Sequence, residues 1–342
     1  MMKAFFLAGG MGTRLQPLTD HIPKPMVPIL GKPLLERNMK RLQGFDISDI
    51  VLSVCYLPEC IENHFGNGNT FGMEIAYTYE DTPLGTGGAI KYAAPQLGER
   101  FFVFNADILC DIDYGHMLRF HKAMHADITI AVTKVEDPTA YGVIETDALG
   151  YATAFTEKPK PGEVRSNLIN AGIYIMERHV LEDVPAGQKI SAEREIFPRI
   201  LEEGGKIAAY DNCRYWLDIG TKEKYMQAQR DAFQGKYHIE EASFAENTIY
   251  SEVGARLYGP VVIKGPVYIG KHVHIGKGAV IGPNVVVGDN SIIGQNAHLE
   301  NAVLWNDVVV RSDAHVRDTV LTTGESTTGT AYQPSIQAEY MV

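Results

Sequence analysis

The sequence predicts an α/β protein in two parts: a mixed, mainly parallel sheet with helices on both faces, then a short β-solenoid. Three observations lead there. Short apolar runs alternate with amphipathic stretches as far as Phe233. From Leu257 on, aliphatic residues recur every six positions. The length of 342 residues exceeds what one hydrophobic core serves.

The apolar runs Ala4–Ala8, Ile50–Tyr56, Ile75–Tyr79, Phe101–Phe104 and Ile128–Val132 read as buried strands, with Gly142–Glu145 and Gly172–Met176 as later ones. Helical patterns cover Pro33–Leu42, Ala89–Ala94, Tyr114–Met124, Ala192–Glu203 and Lys222–Phe233. Strands alternating with helices imply crossover connections and parallel pairing. The hexads run through Leu257, Ile263, Ile269, Ile275, Ile281, Val287, Ile293 and Leu299. A period of six fits a solenoid whose flat faces each point one aliphatic inward. Gly270, Gly276, Gly282, Gly288 and Gly294 each follow an aliphatic and read as corner residues. The period fails after Trp305, where Arg311 and Arg317 take the aliphatic slot, which leaves about three coils. The expected domains are 1–234, a linker over 235–252, a solenoid over 253–321 and a partly flexible tail over 322–342.

Composition excludes several classes. The net charge of −11 gives no global attraction for nucleic acid or anionic membrane, so an anionic substrate needs a locally basic pocket. Four scattered cysteines without a C-x-x-C pair argue against a zinc site or a disulfide framework and suit a reducing cytosol. Only five apolar residues, Ala4–Ala8, precede Gly9, too few for a signal h-region, and no run approaches a membrane span. A cytoplasmic location is expected.

Directly after the first strand comes Gly9-Gly10-Met11-Gly12-Thr13-Arg14. Such a loop can turn its backbone N–H groups onto one anion, and Arg14 adds a planar charged fork suited to phosphate. Lys24, between Pro23 and Pro25, sits on a stiffened backbone. The dinucleotide fingerprint lacks its third glycine at Leu15, and the P-loop pattern is absent. Asp107 closes the run Phe101–Asp107 and Asp218 lies in Tyr215–Ile219. Two carboxylates meeting at the carboxyl end of a sheet would hold Mg²⁺, which takes hard oxygen ligands. Gly85-Thr86-Gly87-Gly88 has little side-chain bulk, so a flat base could lie against its backbone.

LAGGMGTRLQPLTDHIPKP resembles the N-terminal motif of the sugar-1-phosphate nucleotidyltransferases. The likeness continues through PLGTGGAI at Pro83–Ile90, FNAD at Phe104–Asp107, YGVI at Tyr141–Ile144, EKP at Glu157–Pro159, NAG at Asn170–Gly172 and WLDIGT at Trp216–Thr221. It is strongest to the mannose-1-phosphate guanylyltransferases. It implies a Rossmann-like catalytic domain followed by a left-handed β-helix. By resemblance, Leu7, Ala8, Gly9, Gly10, Gly12, Thr13, Arg14, Glu80, Pro83, Gly85 and Thr86 bind the nucleotide. Tyr141, Gly142, Glu157, Lys158 and Asn170 take the sugar phosphate, Asp107 and Asp218 hold Mg²⁺, and Arg14, Lys24 and Asp107 carry the chemistry. Ala106 departs from the family's common Gly. The implied partners are GTP and mannose 1-phosphate, with no nucleic acid or membrane, and a homo-oligomer formed through the β-helix. Thymidylyl or uridylyl transfer to glucose 1-phosphate and guanylyl transfer to a heptose 1-phosphate stay open. So does a bifunctional acyltransferase using His272, His274, His298 or His315. A regulatory paralogue would be expected to lose the charged loop residues, and all are present.

Overall fold

The computed structural model describes residues 2–239, 247–327 and 329–332. The expected linker falls partly, and the expected tail mostly, outside them. Contacts gather the chain into two compact units. Of the described residues, the first comprises those up to Val27 and Leu34–Asp218; the second comprises Pro28–Pro33 and those from Ile219 on.

In chain order the elements are β1 (Lys3–Leu7), a tight hairpin of β2 (Pro28–Ile29) and β3 (Lys32–Pro33), α1 (Leu34–Gln43), β4 (Asp49–Val54), α2 (Pro58–Phe65), β5 (Glu74–Tyr79) and α3 (Gly85–Ala93). Then follow β6 (Arg100–Asn105), β7 (Ile108–Ile112), α4 (Tyr114–Ala123), β8 (Ile128–Lys134), β9 (Gly142–Thr146), β10 (Ala152–Glu157) and β11 (Leu168–Glu177). The helical part closes with α5 (Phe197–Glu202), β12 (Ile207–Tyr210), β13 (Cys213–Asp218) and α6 (Lys222–Phe233). The predicted helix over Ala192–Glu203 begins as one π-wound turn, Ala192–Ile196, before α5.

The main sheet of the first unit runs β10-β9-β11-β6-β1-β4-β5. Strands β6, β1, β4 and β5 pair in parallel, whereas β11 is antiparallel to β6, β8 and β9. β1 is apolar from Ala4 to Leu7 because both of its faces are covered there. Ala4, Phe6 and Ala8 enter one core layer, and Phe5 enters the other with Val103 and Ile90. The chain runs from β1 to β4 and β5 on one side and returns to β6 on the other. Their carboxyl ends therefore flank a crevice at the switch point, where open α/β sheets bind ligands.

The C-terminal part of the second unit is a parallel β-solenoid of three faces, consistent with the left-handed β-helix expected. Strands on one face are Arg256–Tyr258, His274–Gly276, Ile292–Ile293, Val309–Val310 and Ser326–Thr327, so among the described residues there are five rungs rather than three. The repeat does not fail after Trp305. Val267 pairs with Val285, eighteen residues on, but Val285 pairs with Ala302, seventeen on. One residue is missing from that coil, and the inward slot moves to Leu304, Val310 and Val316, all buried. Arg311 and Arg317 are exposed.

The glycines also have a different cause from the one expected. Most do not turn the corners: the left-handed positions include His272, Gly278, Asn284, Asn290, Asn296, Asn301, Asp307 and Asp313. Gly276 and Gly288 are glycine because the next coil approaches their backbone. A Cβ would lie 2.7 Å from Gln295 N and 2.5 Å from Trp305 C respectively. Gly282 combines both demands, with φ 101° and a Cβ that would overlap the Lys264 carbonyl. Gly282→Ala is therefore expected to destabilise the solenoid by about 2–4 kcal/mol, visible as a lowered urea midpoint, whereas Gly324→Ala, open to space though at positive φ, should cost less.

Candidate active site

The crevice is built from the loop that leaves β1. Gly12 adopts φ 65°, a left-handed conformation, and opens the short turn Thr13–Leu15 that carries Arg14. Thr19 Oγ1 donates to the Gly12 carbonyl at 2.9 Å and folds the loop back on itself. Gly10 faces open space, and a Cβ on Gly9 would touch the Cys55 Cβ at 3.0 Å. Pro23 is extended as predicted, but Lys24–Met26 winds into a turn of 3-10 helix.

That turn drives the Lys24 side chain inward, where it is 6% exposed. Lys24 Nζ donates to Asp107 Oδ2 at 2.6 Å and to Asp218 Oδ1 at 3.5 Å. An Arg14 guanidinium nitrogen lies 4.0 Å from Asp218 Oδ2. The two aspartates meet because β13 runs antiparallel to β7, with Asp218 opposite Ile108, the neighbour of Asp107. Asp107 itself stands in the turn after β6, two residues beyond Asn105.

Beside this cluster opens a pocket of about 310 Å³. Leu7, Gly9, Gly10, Glu80, Pro83, Gly85 and Thr86 line it, with Lys24, Pro25, Asn105 and Asp107. Ala8, Gly12, Thr13 and Arg14 stand outside this lining. Glu80 is fixed at both oxygens, accepting from Ser53 Oγ at 2.6 Å and from Leu84 N–H at 2.7 Å. Gly87 and Gly88 are small because Gln188–Ile196 packs on them; a Cβ on Gly87 would come within 2.8 Å of Ile196 Cδ1. The absence of bulk that suggested a base platform is thus partly a packing requirement.

The residues expected at the sugar form a second group, none of them lining that pocket. Gly142 faces Glu157 across the β9–β10 pair, and a Cβ there would lie 2.8 Å from Glu157 Oε2. Lys158 follows at φ 50°, its N–H donating to the Tyr141 carbonyl and its Nζ 3.9 Å from Glu157 Oε1. The Tyr141 ring meets Trp216 edge-on at 5.3 Å. Asn170 is engaged at both ends: Oδ1 accepts from Gly172 N–H and Nδ2 donates to Tyr174 Oη, each at 2.8 Å. The sequence reading missed Ser53, Asn105, Trp216 and Glu193. Asn105 had a signal in FNAD, and its buried Oδ1 has no hydrogen-bond partner in the structure. Ser53 and Glu193 had no local signal.

A family model described as nucleotidyl transferase matches residues 3–235. The chain belongs to the nucleotidyl transferase family. A second model, described as the GMPPB C-terminal domain, matches residues 263–332. Mannose-1-phosphate guanylyltransferase of Mycobacterium tuberculosis is 39% identical over 68% of this chain and 65% of its own length. UTP–glucose-1-phosphate uridylyltransferase of Synechocystis is 37% identical over 67% of this chain and 63% of its own. The chain thus spans just under two thirds of these curated relatives. The crystal structure of HddC from Yersinia pseudotuberculosis complexed with GMP-PN matches with a TM-score of 0.58 and 33% identity, over 68% of this chain and 99% of that one.

In this nucleotidyl transferase the Glu157 carboxyl is held above its ordinary value of 4.5, first by burial and then by the charge of Glu193, against the opposing pull of Lys158 and Arg194. A carboxyl raised in the folded state favours folding while protonated and loses that contribution as pH rises through its folded value. Glu157→Gln is therefore expected to melt above the wild type near pH 7, the gap closing as pH falls through the folded value and gone below 4.5, in thermal melts across that range.

Proposed function

We propose that the protein transfers a guanylyl group from GTP to mannose 1-phosphate, releasing pyrophosphate. The observation that carries this reading is the Lys24 ammonium shared by Asp107 and Asp218 at the mouth of a glycine-lined pocket. The names of the mannose-1-phosphate guanylyltransferase relatives and of the GMP-PN complex support the choice of base and sugar. The sugar phosphate is itself an anionic nucleophile, so the protein's task is positioning and charge neutralisation. The Gly9–Gly10 amides and Arg14 hold the outer phosphates and the departing pyrophosphate. Lys24 steadies the reacting phosphate, Lys158 orients the sugar phosphate, and Glu157 accepts from sugar hydroxyls.

The paired carboxylates fit Mg²⁺. They already converge on one cation, and they offer hard oxygen donors, one from the turn after β6 and one from the end of β13. Among the described residues no group of three or more His, Cys, Asp and Glu gathers, so phosphate oxygens and water would complete the shell. When bound, the ion supplies charge neutralisation at the phosphates. Among the described residues no helix is long and apolar enough to cross a membrane. A cytoplasmic location, self-association through the β-helix, and a catalytic first unit complete the proposal.

The test is pyrophosphate release with Mg²⁺, each of GTP, UTP, dTTP, CTP and ATP, and a panel of sugar 1-phosphates. GTP with mannose 1-phosphate is expected to give the highest kcat/KM. A preference for dTTP or UTP with glucose 1-phosphate would overturn the assignment of base and sugar, and no release with any pair would overturn the reaction.

A further inference from the structure

Glu193 belongs to no motif of the site, yet it joins the site's two halves. It sits in the π-wound turn Ala192–Ile196, an insertion that re-aims side chains and is often found at functional positions. One carboxylate oxygen, Oε2, accepts from Thr86 Oγ1 at 2.5 Å and from Ser191 Oγ at 2.8 Å. Thr86 lines the nucleotide pocket, and its hydroxyl also accepts from Ala192 N–H at 2.8 Å. The other oxygen, Oε1, accepts from Tyr174 Oη at 3.4 Å. Tyr174 is fully buried on β11 and receives Asn170 Nδ2, while Asn170 Oδ1 ties down Gly172. Gly172 in turn presses against Asn105, another pocket-lining residue, whose Nδ2 would lie 2.7 Å from an added Cβ. A single carboxylate thus fixes the base-side segment through Thr86 and the sugar-side strand through Tyr174.

We propose that Glu193 is a positioning residue that couples the nucleotide half-site to the sugar-phosphate half-site, so that filling one tightens the other. The inference rests on the functional reading above. Coupling needs an element that both sites bias, and coupling of this kind is reciprocal. The path Thr86–Glu193–Tyr174–Asn170 is such an element: ordering Thr86 around a nucleotide orders the acceptor that holds Tyr174, and the reverse. Glu193 also raises Glu157 and Tyr174 electrostatically, which places its charge within reach of the sugar side.

The test measures the affinity of an α,β-methylene analogue of GTP with and without saturating mannose 1-phosphate, by calorimetry. In the wild type, mannose 1-phosphate is expected to tighten the analogue about tenfold. Glu193→Gln, which keeps the shape but not the two acceptor oxygens, should bring that ratio close to one. The analogue's affinity measured alone should stay within about twofold. Tyr174→Phe breaks only the sugar-side arm and should give the same loss of coupling, which keeps the test decisive if Glu193→Gln folds poorly. A merely structural role would weaken both affinities alone. Wild-type turnover with no coupling, or with coupling unchanged in both variants, overturns this inference and leaves the function standing. No pyrophosphate release with any substrate pair overturns the function and the inference with it.

Discussion

Lys24→Ala is expected to lower kcat/KM by about 10²–10³ while leaving a folded protein. Lys24 is 6% exposed and donates to both Asp107 and Asp218. On the proposed reaction, its removal strips one charge contact from the reacting phosphate. It also leaves two carboxylates facing each other without the cation between them. Asp107→Asn should cost a similar factor for the opposite reason, since a neutral amide binds Mg²⁺ poorly. The three groups act as a unit, so the double variant Lys24→Ala with Asp107→Asn should lose much less than the product of the single losses. Steady-state kinetics on the four proteins checks this. Full additivity would mean that Lys24 and Asp107 act on different steps. Wild-type turnover in Asp107→Asn would remove that residue from the metal role.

How far the site could be read from the chain depended on the range of the contact. The glycine loop was legible because its cause is local: β1 ends, and backbone N–H groups must stay uncovered. The helix over Lys222–Phe233 was legible to the residue, since its apolar spacing lies within one element. Asp107 and Asp218 could be singled out, but nothing local says that they meet. That follows from the antiparallel register of β13 on β7, which opposes Asp218 to Ile108. Glu193 and Ser53 were invisible for the same reason, because each gains its meaning from a partner at least 27 residues away in sequence. The hairpin Pro28–Pro33 follows Lys24 closely, yet it groups with the residues after Asp218. Tyr225 Oη and Gln229 Nε2 both donate to the Pro28 carbonyl, at 2.7 and 2.8 Å. In the solenoid, periodicity was the correct signal and a strict count of six the wrong rule. Stacking needs each coil to close on the last, and a coil one residue shorter still closes once its inward slot moves by one.

Gly12→Ala and Gly10→Ala should separate two reasons for glycine in one loop. At Gly12 the backbone has φ 65°, and a Cβ would come within 2.9 Å of Lys24 Cβ and 3.1 Å of Thr19 Cγ2. A left-handed alanine costs about 1–2 kcal/mol of folding stability. The larger effect is on chemistry, because the clash falls on the base of the Lys24 side chain. Displacing a positioned charge by about 1 Å can cost on the order of 10²-fold in rate, so Gly12→Ala is expected to lose about that factor in kcat. Gly10 has no heavy atom within 4 Å of an added Cβ, so Gly10→Ala should melt like the wild type. Its methyl instead enters the pocket that Gly10 lines, so on the proposed reaction the loss should fall on the KM for GTP rather than on kcat. Kinetics together with thermal melts on both variants check the split. If Gly10→Ala lowered kcat and the melting temperature while Gly12→Ala raised only the KM, the loop would have to be positioned by Gly10, and Lys24 would owe its place to something other than the left-handed turn at Gly12.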